Sequence, residues 1–348
     1  MQAPNKPPVT LTAVLKEFSP WVNCLNPSYP LNRYTLHRNI AGFTFSEKIS
    51  KAEAVDVCKK LVTALFSLFP TGEFFPSKDI TDQEHHLILE HLYLAGRDAI
   101  HPEGGIFIDL KNNILAIIHL EDHLSLFFHE TTRGSDEILQ KITYIDEQLQ
   151  KTIPFAYSEL FGYLTTSAVY LGTGLCKEAI IHAPALNLLG GSISEDSKVL
   201  IHGLHAEKET LNNLIIITNK YCLGVSEKNI INQVDEVADK VFQAELDAKK
   251  TLLEDPEKKF INDLSKKFGA ALFSKELQLH EALSIASAID LGISLDFVES
   301  KRKTFYFDLF FDVRRAHLES YNPDRSLSVN QKRAQFFKEK LNDIKLTT

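Results

Sequence analysis

Three ionisable side chains, Glu121, Asp122 and His123, follow one another inside the apolar run from Ile114 to Phe128. Charged groups within such a run need partners, water or a ligand. Strand alternation would put Glu121 and His123 on one face and Asp122 on the other. The stretch is therefore either a half-exposed strand with polar faces, or a site in which Glu121 acts as a general base or anchors a cation. Glu207 and Glu209 flank Lys208 after Gly203. They read either as a solvated turn or as a second candidate site. Arg33, Arg38 and His91 are the basic residues suited to phosphate, since an arginine fork matches two phosphate oxygens. Cys176 precedes Lys177, and a nearby cation can lower a thiol's pKa. A reactive cysteine is thus a further chemistry, although no paired His or Asp pattern supports it.

These residues need a frame, and Phe161 to Pro184 is its centre. A strand-like run enters, Leu171-Gly172-Thr173-Gly174-Leu175 turns the chain, and Glu178 to His182 leaves as a second apolar run. Glycines there let the backbone approach something closely, either another part of the chain or a nucleotide phosphate. Before this centre, Thr10 caps a short helix with Leu11, Val14, Leu15 and Phe18 as its apolar positions. Leu31 to Ile40 alternates as a strand, with Arg33, Thr35 and His37 on one face and Tyr34, Leu36 and Arg38 on the other. Ser50 to Leu68 has a helical period, and Thr81-Asp82-Gln83-Glu84 opens another helix with a capping box. Ile106 to Asp109 and Ile114 to Phe128 read as two strands joined at Lys111-Asn112-Asn113, and Ser135 to Lys151 as a helix.

After the centre, Lys198 to Gly203 and Leu214 to Thr218 read as strands around a polar loop at 207–213. Ser226 caps a long helix reaching Leu253. Beyond it the pattern is helical: 260–268, 274–291, 295–299 and 330–341. The expected organisation is an α+β domain over residues 1–253 and a helical domain over 254–348.

The 348 residues suffice for that plan, and 44% hydrophobic content allows a sizeable core. A net charge of −8 argues against a surface given over to nucleic acid or anionic membrane. Four dispersed cysteines without a CxxC pair fit free thiols in a reducing compartment, not a disulfide frame or zinc site. The start lacks a cationic segment followed by an apolar one, and no run approaches a bilayer span. A cytoplasmic protein is expected.

Four ordered segments resemble the ATP:guanido phosphotransferases, and most closely the bacterial protein-arginine kinases. FGYLTTSAVYLGTGL resembles GYLT-x-CPTN-x-GTGLR, and HLEDHLS resembles NEEDHLR. LNRYTLHRNI resembles SSRIRLARNL, and GLHAEKETLNNLIIITNKYCLGVSE resembles GLYGEGSEA-x-GNIFQISNQ-x-x-LG-x-SE. The resemblance covers roughly residues 30 to 250 in the family's order and about its spacing. It implies an antiparallel sheet flanked by helices, with ATP on the sheet and Mg²⁺ on the nucleotide. Arginines clamp the phosphates, and two carboxylates align and deprotonate the guanidinium of an arginine in a protein. It also implies a zinc-containing activator protein, a Clp-type chaperone and a possible homodimer as partners, with no nucleic acid and no membrane.

Carried over residue by residue, the first and third arginines of SSRIRLARN fall on Arg33 and Arg38, and the second on Thr35. His37 shares a strand face with Arg33. The kept carboxylate of NEEDHLR is Glu121, the lost one is Leu120, and the terminal arginine is Ser125. The cysteine and asparagine of CPTN become Ser167 and Tyr170. The closing arginine of GTGLR is Cys176, with Lys177 beside it as a possible substitute. The second catalytic carboxylate falls on Glu209 when aligned backward from ITN, and on Thr210 when aligned forward from Gly203. His91 matches a nucleotide-contacting histidine. Of the tail motif RDxxRA, which the family uses for phosphoarginine, Arg333-Ala334 remains.

Thr35, Ser125 and Cys176 carry no cation where the pattern has arginine. A transition-state arginine is worth about 10³–10⁵ in rate, so transfer of phosphate from ATP to arginine is expected to be weak. The chain is then either a slow kinase or a pseudokinase that binds partners.

Overall fold

The computed structural model describes residues 10–18, 31–94, 99–130, 135–191, 193, 196–206, 209–255, 259–302 and 304–347. The side chains of Ser135, His205, Ala206, Glu209, Thr210 and Asn212 also lie outside the description. Two compact units form, each from separate segments: residues 1–20, 33–177 and 221–231, and residues 21–32, 178–220 and 232–348.

The first unit contains α1 (Leu11–Glu17), β1 (Leu31–Arg38, from Arg33), α2 (Lys51–Leu68), β2 (Glu73–Pro76), α3 (Asp82–Glu90), β3 (Gly105–Asp109) and β4 (Ile114–Ile118). It continues with β5 (Leu124–Glu130), α4 (Ser135–Gln150), the ribbon β6 (Tyr157–Ser158) and β7 (Gly162–Tyr163), and the start of β8 (Leu175–His182). Its strands run in the order β2-β3-β4-β5-β1-β8, and β2 through β5 pair antiparallel.

Local chemistry sets the helices. Ser50 and Glu53 form a reciprocal capping box on α2, as Thr81 and Glu84 do on α3. Val57, Leu61 and Leu65 of α2 and Ile138, Ile142, Ile145 and Leu149 of α4 cover one face of the sheet. Tyr34 and Leu36 of β1 and Leu124, Leu126 and Phe128 of β5 point into that core. Alternation sends Arg33, Thr35, His37, Ser125 and His129 to the opposite face. Phe18, just after α1, lies against Tyr93 and His129.

One expectation fails here. Residues 114–128 are two strands, and Glu121, Asp122 and His123 sit in the turn between them. Asn39 explains the break: its side chain accepts from the His123 N–H at 2.9 Å and donates to Asp122 at 2.6 Å. His119 takes a positive φ of 59° in the same turn. Fixed partners for the polar groups make a turn better satisfied than a continued strand.

The second unit holds the rest of β8, α5 (Pro184–Leu188), β9 (Val199–Ala206), β10 (Glu209–Asn219) and most of α6 (Glu227–Leu253). Then come α7 (Lys259–Phe273), α8 (Leu279–Ser294), β11 (Val298–Ser300), α9 (Tyr306–Phe310), α10 (Arg315–Tyr321), α11 (Val329–Leu341) and β12 (Ile344–Leu346). Strands β8, β10 and β9 are neighbours in that order, antiparallel, with a register shift between Leu211 and Ile215. Of the expected polar loop at 207–213, Glu209 to Asn213 belong to β10, while 207–208 lie outside the described residues. The expected helix at 295–299 is corrected as well: Val298–Ser300 pairs with Ile344–Leu346, a ribbon partner too distant in sequence for a local pattern to reveal. No helix among the described residues is long and apolar enough to cross a membrane.

Candidate active site

The site face of the first unit is built on β1. Arg33 is 9% exposed, and its Nη1 donates to the Leu92 carbonyl at 2.5 Å. Leu92 itself has a φ of 65°, next to His91, which ends α3 and is buried. Thr35 is buried on the same face. His37 stacks on Tyr170 with ring centroids 4.1 Å apart and planes 9° from parallel. Its Nδ1 lies 3.4 Å from Asp122 Oδ2 and 3.4 Å from Ser125 Oγ.

Asp122, fully buried, is the carboxylate that organises this face. Its Oδ1 accepts from Asn39 Nδ2 at 2.6 Å and from the Thr166 backbone N–H at 2.7 Å. Burial pushes its pKa up, but His37, the Thr166 N–H and Asn39 together hold it below the usual carboxylate value. Glu121, the expected catalytic carboxylate, is exposed, and its backbone carbonyl accepts from Thr166 Oγ1 at 3.0 Å. His123 is structural: Nδ1 accepts from the Ile40 N–H and Nε2 donates to the Thr44 carbonyl, both at 2.9 Å. Burial lowers its pKa.

Ser125, His37 and Asp122 do not form a hydrolytic triad. Such a relay needs the serine and the carboxylate on different ring nitrogens, and here both approach Nδ1. In the second unit Ser287, His182 and Asp290 do have relay connectivity, at 2.8 Å to Nε2 and 3.5 Å to Nδ1. All three are buried, His182 is stacked on Tyr306, and Ser287 lies inside α8, whose backbone N–H groups are committed to the helix. That cluster has a packing role, and sequence spacing alone gave no signal of it.

The other basic residues go elsewhere. Arg38 is 2% exposed on the core face. Its Nε and Nη2 form a fork on Asp146 of α4 at 2.9 and 2.8 Å. Its Nη1 donates to the His37 and Thr173 carbonyls at 2.9 and 2.8 Å, and the guanidinium lies 3.5 Å over the Tyr163 ring. Lys177 is also on the core face, fully buried, with Nζ 5.2 Å from the Tyr34 ring centroid. Arg33, Arg38 and Lys177 therefore do not converge on one pocket. Cys176 is buried and forms no disulfide.

The glycine turn approaches the protein itself. A Cβ on Gly174, at φ +67°, would stand 2.5 Å from Arg38 Nη1 and 2.6 Å from the His37 carbonyl. A Cβ on Gly172, at φ +118°, would stand 2.5 Å from the Cys222 carbonyl. These glycines exist to seat the turn against β1 and the segment after β10.

Glu209 and Thr210 open β10 in the second unit, opposite Ala206 and His205. Their side chains lie outside the described residues. Arg333 of α11 is buried and donates to the Val313 and Leu277 carbonyls at 2.7 and 2.9 Å and to Asn330 at 2.6 Å. Among the described residues no group of three or more His, Cys, Asp or Glu side chains could hold a metal ion.

Known proteins share this fold. The profile of the ATP:guanido phosphotransferase C-terminal catalytic domain matches residues 54–248. A protein-arginine kinase of Chlamydia muridarum is 32% identical over 305 residues, 85% of each chain. One from Clostridium novyi is 26% identical over 343 residues, covering 94% of this chain and 99% of its own. Among solved structures, the duplicated taurocyamine kinase of Schistosoma mansoni with bound transition-state analogue components superposes with a TM-score of 0.57 at 19% identity. That match covers 74% of this chain and 39% of the duplicated one. A lombricine kinase gives 0.53 at 18% identity over 70% and 72%. The structural likenesses carry the fold, and the profile and the protein-arginine kinases carry the descent: this chain belongs to the ATP:guanido phosphotransferase family.

Proposed function

We propose that this protein binds ATP on the β1–β5–β8 face of its first unit, in the cytoplasm, and acts as a pseudokinase rather than an efficient protein-arginine kinase. The observation that carries this reading is Arg38. Four of the five N–H donors of its guanidinium are taken by Asp146 or a backbone carbonyl, and the side chain is buried on the core face, opposite the face of Arg33. With Thr35, Ser125 and Cys176 at three other arginine positions of the family pattern, Arg33 is the family-pattern arginine left on the face among the described residues. Each missing transition-state arginine is worth about 10³–10⁵ in rate, so transfer falls by orders of magnitude even when the losses do not add. Such a protein works by holding partners, and those we propose are a Clp-type chaperone and a zinc-containing activator.

The test is incubation of the full chain with ATP, Mg²⁺ and an arginine-rich acceptor protein, read as acid-labile phosphate on arginine. Turnover at background, with a positive thermal shift on adding millimolar ATP, is the expected result. Clear turnover that disappears in Glu121→Ala would overturn the pseudokinase reading.

A further inference from the structure

We propose that the ribbon β6–β7 and the turns beside it form a docking surface for an extended segment of another protein, one in which a basic side chain stands among apolar ones. The inference rests on the reading that this protein works by holding partners, and names the surface and the chemistry it takes. A turn is the part of a chain most open to water, and its tip is ordinarily polar. Here Leu160 at the ribbon tip is 77% exposed, Phe161 beside it is exposed, and Tyr157, paired with Tyr163, is 61% exposed. Val169, Tyr221 and Leu223 are exposed as well.

These side chains belong to one place in the first unit. Tyr163 bridges Gly172 through hydrogen bonds of 2.8 and 3.2 Å. Gly172 in turn lies against the 221–224 segment, where a Cβ on it would stand 2.5 Å from the Cys222 carbonyl and 2.8 Å from Leu223 Cα. Single exposed apolar residues are common on any protein, whereas a contiguous set marks a binding surface. The surface is also held in shape before a partner arrives. The Leu164 N–H donates to the Ala156 carbonyl at 2.9 Å, and the Leu164 carbonyl accepts from Asn39 Nδ2 at 3.1 Å. The Arg38 guanidinium lies over the Tyr163 ring, and the Leu160 N–H donates to Ser158 Oγ at 3.3 Å inside the tip. A fixed surface loses little freedom on binding.

Charge selects the partner. From Thr152 to Cys176 the chain has no Lys or Arg, and its one charged residue is Glu159, exposed at the ribbon tip. Tyr221 to Gly224 add no charge. Thr166, three residues after Tyr163, joins the surface to the Glu121 turn: its Oγ1 donates to the Glu121 carbonyl at 3.0 Å and its N–H to Asp122 at 2.7 Å. Exposed Glu121 therefore stands at the border of the apolar surface. Two exposed carboxylates around apolar side chains attract a cation flanked by apolar residues and repel an acidic segment. A second copy docking through the same surface would bring these carboxylates against their like. Phe161 and Thr166 are five residues apart, about 17 Å at most, so an extended segment of about six residues spans the tip and the Glu121 turn.

Burying one leucine or phenylalanine on binding corresponds to about a tenfold to hundredfold gain in affinity. The experiment measures, by fluorescence anisotropy on the full chain, binding of the labelled peptide Ser-Gly-Leu-Phe-Arg-Phe-Leu-Gly-Ser. Two control peptides carry Glu in place of its Arg, or Ser in place of its four apolar residues. Both controls should bind the native protein at least tenfold more weakly. The double variant Leu160→Ser with Phe161→Ser should lose at least tenfold for the first peptide while keeping the native urea midpoint and the native thermal shift with ATP. Glu121→Gln should weaken the same peptide and reduce the salt dependence of its binding. Equal binding of all three peptides, or an undiminished affinity in the double variant, overturns the docking surface. Self-association that the double variant abolishes, with peptide affinity unchanged, gives the surface to a second copy and overturns the proposal. A thermal shift with ATP but no peptide binding overturns the docking surface and leaves the nucleotide site standing. Selective peptide binding without an ATP shift supports the docking surface and overturns the nucleotide site.

Discussion

Replacing Arg38 with methionine separates a structural arginine from a catalytic one. The substitution keeps a long apolar stem over Tyr163 but removes the fork on Asp146 and the donors to the His37 and Thr173 carbonyls. Asp146 is 8% exposed and would keep only Gln150 at 3.0 Å and Tyr163 at 3.4 Å. Breaking a buried ion pair by removing one partner costs about 3–5 kcal/mol, because the survivor stays buried and uncompensated. Urea unfolding should show that loss as a lower midpoint at an unchanged slope. The double substitution Arg38→Met with Asp146→Leu should recover most of it, because no charge is then stranded. ADP affinity of the folded single variant should stay within about threefold of native, about 0.6 kcal/mol. A loss of affinity of tenfold or more with little change in the urea midpoint would refute the assignment and return Arg38 to the phosphates.

Other outcomes follow from the same structure. Gly174→Ala should destabilise the first unit by more than about 1 kcal/mol in thermal melting, since it needs φ +67° and collides with Arg38 and the His37 carbonyl. Acid should destabilise the fold through its buried histidines. Burial lowers the pKa of His119 to about 4 and also lowers those of His123, His129 and His182, so the unfolded chain takes up protons first. Their stabilisation is complete above about pH 6.5 and lost as pH falls; for His119 alone it is about 3 kcal/mol between pH 6.5 and 4. Urea midpoints of native protein and His119→Gln across that range check it. Glu245 acts with the opposite sign: burial raises its pKa to about 7, although the Leu186 and Ala185 N–H groups and Lys249 oppose this. Its contribution is full below about pH 4.5 and lost as pH rises through 7, so Glu245→Gln should flatten the decline in urea midpoint between about pH 4.5 and 7.

Sequence alone determined the features that depend on near neighbours. Ser50 with Glu53 and Thr81 with Glu84 announce their helices because a capping box closes within four residues. The alternation in Leu31–Arg38 assigned Arg33 and His37 to one face and Arg38 to the other, because strand geometry requires it. Four motif segments also gave the family. What only the tertiary structure decided is where each ionisable group finds its partner. Asn39 and Asp122 are 83 residues apart, and their bond turns an apparent strand into a loop that buries Asp122 and leaves Glu121 exposed. Arg38 and Asp146 are 108 residues apart, and no local pattern announces that a phosphate-type arginine is already committed. Burial and pairing across the sheet set the chemistry of a charged side chain, and both are properties of the folded chain.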